Sequence, residues 1–310
     1  MKTGNYRFIF YSALTLILFG MGFFLEPQAS RDFLRSFELW RDPILAGVLC
    51  GLGAALLGVY ILLNRIVFVS LALSQGAGLG IFLIFWVGGM LGLVLDQSML
   101  PFVAGLTMAV LFAVLFSWLR HNQSFSEESL IGLLYVLGAG LILIIGDRVT
   151  EGHHDLENLL FGNAVAVLPE DLLLVTGVMG VVIAAHFIFQ KRFLYISADP
   201  TFMKTKGFNT RSWMLLLYLL ISLGITASLK TLGALPVFAL MLIPPFIALR
   251  LARSPQGAFA LSALIGVVLP PLAYFYSYLF DLPTGACLVL VSVFYLGANL
   301  FEKYLLPRRS

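Results

Sequence analysis

The chain has 310 residues, of which 60% are hydrophobic and 11% charged, and its mean hydropathy is +0.97. Soluble domains carry roughly 25% charged residues, so this composition excludes a water-soluble globule and predicts a single helical membrane domain over residues 1–310. The net charge of +3 gains meaning only once its carriers are placed on loops.

The first apolar run, residues 6–25, follows the basic residues Lys2 and Arg7. It is long for a signal-peptide core and no small-x-small cleavage site follows, which predicts a retained span. Residues 26–42 are polar, with Phe33, Phe37 and Trp40 at i, i+4 and i+7. That spacing predicts an amphipathic helix in the membrane interface, the alternative being a solvated linker. Spans are expected at 43–63, 70–94 and 99–119, rich in Gly and Ala that let helices approach closely. The two cysteines, Cys50 and Cys287, lie in apolar runs and read as small core residues.

The third span holds the most polar intramembrane patch: Ser70, Ser74 and Gln75, then Gly76, Gly78 and Gly80. Polar and glycine-rich stretches at membrane depth line a cavity or sit in a helix contact, so Ser70, Ser74 and Gln75 are translocation-path candidates. Tight packing with a hydrogen-bonded Gln is the other reading. After a polar loop at 120–128 comes a span at 129–146, then a segment, 147–171, that carries His153, His154, Asp155 and Glu157. Imidazole and carboxylate suit a divalent transition ion, although such residues also serve plain solvation. The apolar half of that segment is too short for a crossing and predicts a re-entrant or interfacial element.

Spans at 172–189, 212–229, 233–249, 257–278 and 283–302 complete about ten crossings. With the N-terminus inside, 14 of the 19 Lys and Arg fall on the cytoplasmic face, as the positive-inside rule requires. This places both termini and the basic segment 191–211 in the cytoplasm, and the His153 cluster outside. Segment 191–211 is too polar for hydrocarbon and reads as a loop. Within it, residues 197–209 predict a short helix: Asp199 suits the N-cap, Pro200 the first helical position and Gly207 the stop. Its Phe202, Met203 and Lys204 make it a docking candidate for a cytoplasmic partner. Ser222, Thr226 and Ser228 in the seventh span, with the break at 233–236 and Pro244 and Pro245 beyond, are expected to face the Gln75 patch across the path. Asp281 either caps the last span or lines that path. No HExxH, G-x-S-x-G or GxxxxGK[ST] motif is present, so the chain is not expected to be an enzyme, and any ATP hydrolysis would belong to a partner.

Five stretches, in order, resemble the membrane subunit of bacterial ABC importers for zinc, manganese or iron. They are GVYILLNRIVFVSLALSQGAGLG at 58–80, ENLLFGNAVAVLPEDL at 157–172 and DPTFMKTKGFN at 199–209, then SLKTLGALPVFALMLIPPFIA at 228–248 and DLPTGACLVLVSVFYL at 281–296. The layout is also similar to the siderophore and cobalamin permeases. The resemblance implies an all-α polytopic permease of the bacterial inner membrane that moves a divalent metal and binds no cofactor itself. It also implies a second permease copy (a homodimer), two cytoplasmic ABC ATPase subunits that bind ATP, and an extracytoplasmic binding protein. These partners are proteins and membrane lipid, not nucleic acid. Residues 1–35 would be an extra N-terminal helix, since the family begins near residue 40. Many members carry a GDALSH-like pattern in the third span, where this chain has Ser70, Leu71, Ala72, Leu73, Ser74 and Gln75. Leu71 and Gln75 thus replace an Asp and a His, which leaves open a metal complex or other small solute as cargo. An intramembrane metalloenzyme or a gradient-driven transporter would require buried ionisable groups that the spans almost lack.

Overall fold

The computed structural model describes residues 2–92, 99–120, 126–149 and 167–305, and every regular element among them is an α-helix. The N-terminal part comprises α1 (Lys2–Leu25), α2 (Pro27–Arg35), α3 (Phe37–Leu63), α4 (Val69–Leu91), α5 (Met99–Arg120) and α6 (Glu127–Gly146). After it come α7 (Pro169–Ala198), α8 (Pro200–Thr205), α9 (Thr210–Leu232), α10 (Ala234–Leu251), α11 (Pro255–Phe280) and α12 (Thr284–Leu305). Among the described residues nine helices, α3–α7 and α9–α12, are each long and apolar enough to cross a bilayer. The stretch from Ile9 through α2, bent by 112° between Leu25 and Pro27, makes up to ten, as the hydropathy pattern predicts.

Two expected elements are drawn differently. Residues 26–42 are not one interfacial helix: Ser36 ends α2, and residues 37–42 already belong to the spanning α3. The Ser36 N–H and hydroxyl both donate to the Asp32 carbonyl, at 2.9 and 2.8 Å, and the hydroxyl also reaches the Phe33 carbonyl at 3.3 Å, closing the end of α2. Phe33 and Trp40 share one cluster with Phe275 and Tyr278, whereas Phe37, the middle member of the expected spacing, is exposed. Residues 191–198 are not loop but the last two turns of α7, whose 30 residues rise about 45 Å, beyond a ~30 Å hydrocarbon layer. A helix that leaves the membrane keeps its own hydrogen bonds, so polarity alone does not end it.

α3 is the hub of the bundle, packed against α7, α9, α10 and α11. Its contacts with α10 and α11 follow from two prolines. Proline has no N–H, so the carbonyl four residues earlier loses its helical donor. Pro270 does this to Gly266 in α11, and Pro245 does it to Met241 in α10. α3 sets a glycine against each: a Cβ on Gly51 would lie 2.1 Å from the Gly266 carbonyl oxygen, and one on Gly58 2.0 Å from that of Met241. Only a Cα–H fits there, and such contacts return part of the lost hydrogen bonding. Across the bundle, Gly80 of α4 approaches the Ala104 carbonyl of α5 in the same manner, where a Cβ would lie 2.3 Å from the oxygen.

Gly58→Ala and Gly51→Ala should each destabilise the protein by about 1–3 kcal/mol through overpacking against backbone. Gly180→Ala, where a Cβ meets nothing within 4 Å, should leave it unchanged. Thermal unfolding in detergent measures this, and equal midpoints for Gly58→Ala and Gly180→Ala would refute the backbone contact.

Candidate functional site

The surface helix α8 is framed by two local devices. At its start Asp199 Oδ1 accepts the Phe202 N–H at 3.0 Å, with Pro200 in the first turn. At its end Gly207 takes φ +79°, and the Gly207 and Phe208 N–H groups donate to the Lys204 and Met203 carbonyls at 3.0 and 3.1 Å. This is a Schellman closure, and the positive φ requires glycine. The helix is shorter than the expected 197–209, because Ser197 and Ala198 belong to α7 and Asn209 caps α9 by accepting the Ser212 N–H. Its two apolar residues divide the work: Met203 is 2% exposed and anchors the helix inward, whereas Phe202 is 43% exposed. Lys206 Nζ lies 5.7 Å from the Phe202 ring centroid, and Tyr195 flanks the same ring. With Lys191, Arg192, Lys204 and Arg211 also exposed, the end of α7 and α8 form a basic surface studded with aromatic rings.

Inside the membrane, Ser70, Ser74 and Gln75 on α4 are all buried, and both serine hydroxyls turn back onto their own helix, to Val67 and Leu71. Gln75 packs at the α6 contact, where a Cβ on Gly138 would lie 2.7 Å from Gln75 Cβ. α4 and α9 are neighbours, as expected, and of the expected Ser222, Thr226 and Ser228 the first two lie against α5. The Thr226 methyl reaches Gly105 of α5 beside the Ala77 carbonyl of α4, its hydroxyl being turned to the Ser222 carbonyl of its own helix, and Ser222 donates to Ala109 of α5 at 3.4 Å. Ser228 lies on the other face of α9, toward α3: its hydroxyl bonds the Gly224 carbonyl, and neighbouring Thr231 meets Cys50 at 3.8 Å. Of the three expected hydroxyl residues, Ser222 and Thr226 thus stand at the junction with α5 and α4, and Ser228 faces α3. Asp281 is exposed at φ +50° and closes the C-terminal end of α11 rather than capping α12.

His153, His154, Asp155 and Glu157 lie outside the described residues, as does most of the re-entrant element expected in the apolar half of 147–171, whose last residues from Pro169 already begin α7. Among the described residues no three His, Cys, Asp or Glu side chains converge on a site that could hold a metal.

Sequence reasoning missed the polar pairs that join distant helices. Arg120, at the end of α5, donates from Nε to Glu127 of α6 at 2.7 Å and from Nη1 to the buried Tyr218 hydroxyl of α9. Lys230 of α9 pairs at 2.7 Å with Asp171 of α7, a carboxylate 6% exposed. His186 of α7 is buried with its Nδ1 2.8 Å from the Tyr60 hydroxyl of α3. Arg250 donates to Asn299, which donates to Tyr11 of α1. The only signal in the sequence was that each charged member is an isolated ionisable residue near a span end.

Residues 36–302 match the ABC 3 transport family, so α1 and α2 precede the matched region. The high-affinity zinc uptake membrane protein ZnuB of Haemophilus influenzae is 26% identical over 86% of this chain and 98% of its own length. The manganese transport membrane protein MntC of Halalkalibacterium halodurans is 27% identical over 84% of this chain and 86% of that protein. Among solved structures, PsaBC from Streptococcus pneumoniae in complex with Fab has a TM-score of 0.75 at 24% identity, covering 89% of this chain and 95% of that one. That likeness establishes the fold.

Asp199→Ala should remove the cap of α8 at a cost of about 1 kcal/mol. Amides of 201–205 should then exchange with solvent several-fold faster while those of α9 do not. Unchanged exchange over 201–205 would show that the cap does not hold the helix.

Proposed function

The chain belongs to the ABC 3 transport family as a membrane permease subunit, and from that premise we propose that it imports a divalent transition metal ion, zinc, manganese or iron. The family match across residues 36–302, laid over a bundle with a capped, basic and aromatic surface helix, carries this conclusion. The relatives named for zinc uptake and manganese transport support the cargo class. ATP is hydrolysed by separate cytoplasmic ABC subunits, a second copy of the permease completes the pathway, and an extracytoplasmic protein delivers the ion. The membrane is the bacterial plasma membrane, with both termini inside, supported by the placement of 14 of 19 basic residues on one face.

In this arrangement α8 is the coupling element. Asp199, Pro200 and Gly207 fix its shape, Met203 anchors it, and Phe202 with Lys204 meets the ATPase. The outer side carries His153, His154, Asp155 and Glu157 among an excess of acidic residues, which raises the local cation concentration at the mouth. Within the membrane Ser70, Ser74 and Gln75 with the hydroxyls of α9 line a path without a fixed charge. Such a path holds the ion weakly and transiently, and Leu71 and Gln75 in place of ionisable residues favour a metal complex as the second reading of the cargo.

Two substitutions test the assignment in a strain whose own zinc importers are deleted, with the permease expressed alongside its ATPase and binding protein. Phe202→Asp should lower radioactive zinc uptake at least tenfold while the protein still reaches the membrane. Normal uptake would remove α8 from coupling. Replacing both His153 and His154 with Ala should raise the zinc concentration needed for half-maximal uptake several-fold; an unchanged concentration dependence would reduce the pair to solvation.

A further inference from the structure

We propose that α9 is the moving helix of the permease and that two side-chain clamps, one in its first half and one near its C-terminal end, govern which face of the membrane reaches its hydroxyl-bearing surface. This rests on the transport function proposed above. In the first half Arg120 ties the Tyr218 hydroxyl to Glu127, joining α9 to α5 and α6. Near the C-terminal end Lys230 ties α9 to Asp171 of α7. Tyr218 and Lys230 are twelve residues apart, about 18 Å along the helix.

Between the clamps α9 has little that is directional. The hydroxyls of Ser222, Thr226, Ser228 and Thr231 each donate to a carbonyl three or four residues back on α9 itself, at 2.8–3.2 Å. The contacts that leave the helix there are few: 3.4 Å from Ser222 to Ala109, 3.8 Å between Thr231 and Cys50, and Ser228 beside the same thiol. The rest is apolar packing, which resists separation but not a small tilt or rotation. Hydroxyls turned back on their own carbonyls weaken the helix locally and are free to swing outward when a neighbour withdraws. At the α9–α10 junction Gly233, at φ +85° and ψ 167°, breaks the helix and leaves the end at Lys230 able to move separately from α10.

The two clamps are not equivalent. Asp171 is 6% exposed on its side chain, whereas Glu127 is 40% exposed. A carboxylate that buried gives up Lys230 only when another cation replaces it. Under the proposed orientation this clamp faces the delivery side. An arriving divalent cation competes with Lys230 for Asp171, and its binding breaks the tie between α9 and α7. The clamp at Arg120 holds a carboxylate that water already reaches, and under the same orientation it faces the release side. Lys230, Asp171, Arg120 and Tyr218 are thus positioning residues for transport, acting through the place they give α9.

The test needs neither ATP nor a known cargo. Thr226→Cys is made in a chain whose Cys50 and Cys287 are replaced by Ala, and the chain is expressed with its ATPase in right-side-out and inverted vesicles. Labelling by a membrane-impermeant maleimide is timed from each face. Lys230→Gln should raise the rate from the outer face at least fivefold and leave the inner rate unchanged. Tyr218→Phe, which removes one oxygen, should do the reverse. The exchanged pair Asp171→Lys with Lys230→Asp should restore the parent rate. The proposal is overturned if neither single variant changes labelling, if both faces gain equally, or if the exchanged pair behaves like Lys230→Gln. Zinc uptake by the parent protein, measured separately, tests the transport function. Uptake with invariant labelling refutes the clamps alone, and face-specific labelling without zinc uptake refutes only the cargo.

Discussion

In hydrocarbon a backbone carbonyl that loses its donor has no water to turn to, and the α3 contacts answer that constraint. Pro245 and Pro270 each deprive a carbonyl in α10 and α11 of its helical N–H, and Gly58 and Gly51 of α3 bring Cα–H groups to those same oxygens. The two glycines are seven residues apart, two turns on one face, so a single helix serves both defects. Any larger side chain would hold α10 and α11 away and leave their carbonyls bare. The three helices therefore behave as one body, and the remaining helices are arranged around it.

α9 contrasts with that body at every level. It touches α3 too, but through Gly224 against Leu57 and a long thiol–hydroxyl contact rather than through backbone. Its own side chains satisfy its polar groups, and its links outward are charged or phenolic and sit in its first half and near its C-terminal end. One part of the bundle is fixed by short backbone contacts and another is held by interactions that a cation or water can replace. Alternating access requires such a division, since something must stay still for something else to move.

Local chemistry was legible in the sequence, and relations between distant segments were not. The cap, the first-turn proline and the terminal glycine of α8 were readable because each acts within four residues of itself. The end of α7 was not, because polar residues stop a span without stopping a helix. The helical period separates Thr226 from Ser228 by about 200°, which tells that they face opposite ways. Only packing tells which of them lies toward α4 and α5: Thr226, with Ser228 turned to α3. The pairs between Arg120 and Tyr218, 98 residues apart, and between Asp171 and Lys230, 59 apart, leave no periodic trace. Each member reads alone as an ordinary charge at a span end.

The placement of charge carries the last step. The ionisable groups that the structure pairs across helices through α9 lie in its first half and near its C-terminal end, and the surface between them offers hydroxyls and carbonyls only. A fixed carboxylate at mid-depth would bind a divalent cation strongly in a medium of low dielectric, and a site that binds strongly releases slowly. Hydroxyls and backbone oxygens ease the ion's passage without trapping it. Selection by charge then has to occur where the ion still has part of its water, at the mouth. On the proposed pathway and orientation, the uncharged Leu71 and Gln75 and the buried Asp171 toward the outer face are two sides of one arrangement: recognition sits outward, and the interior is left to conduct.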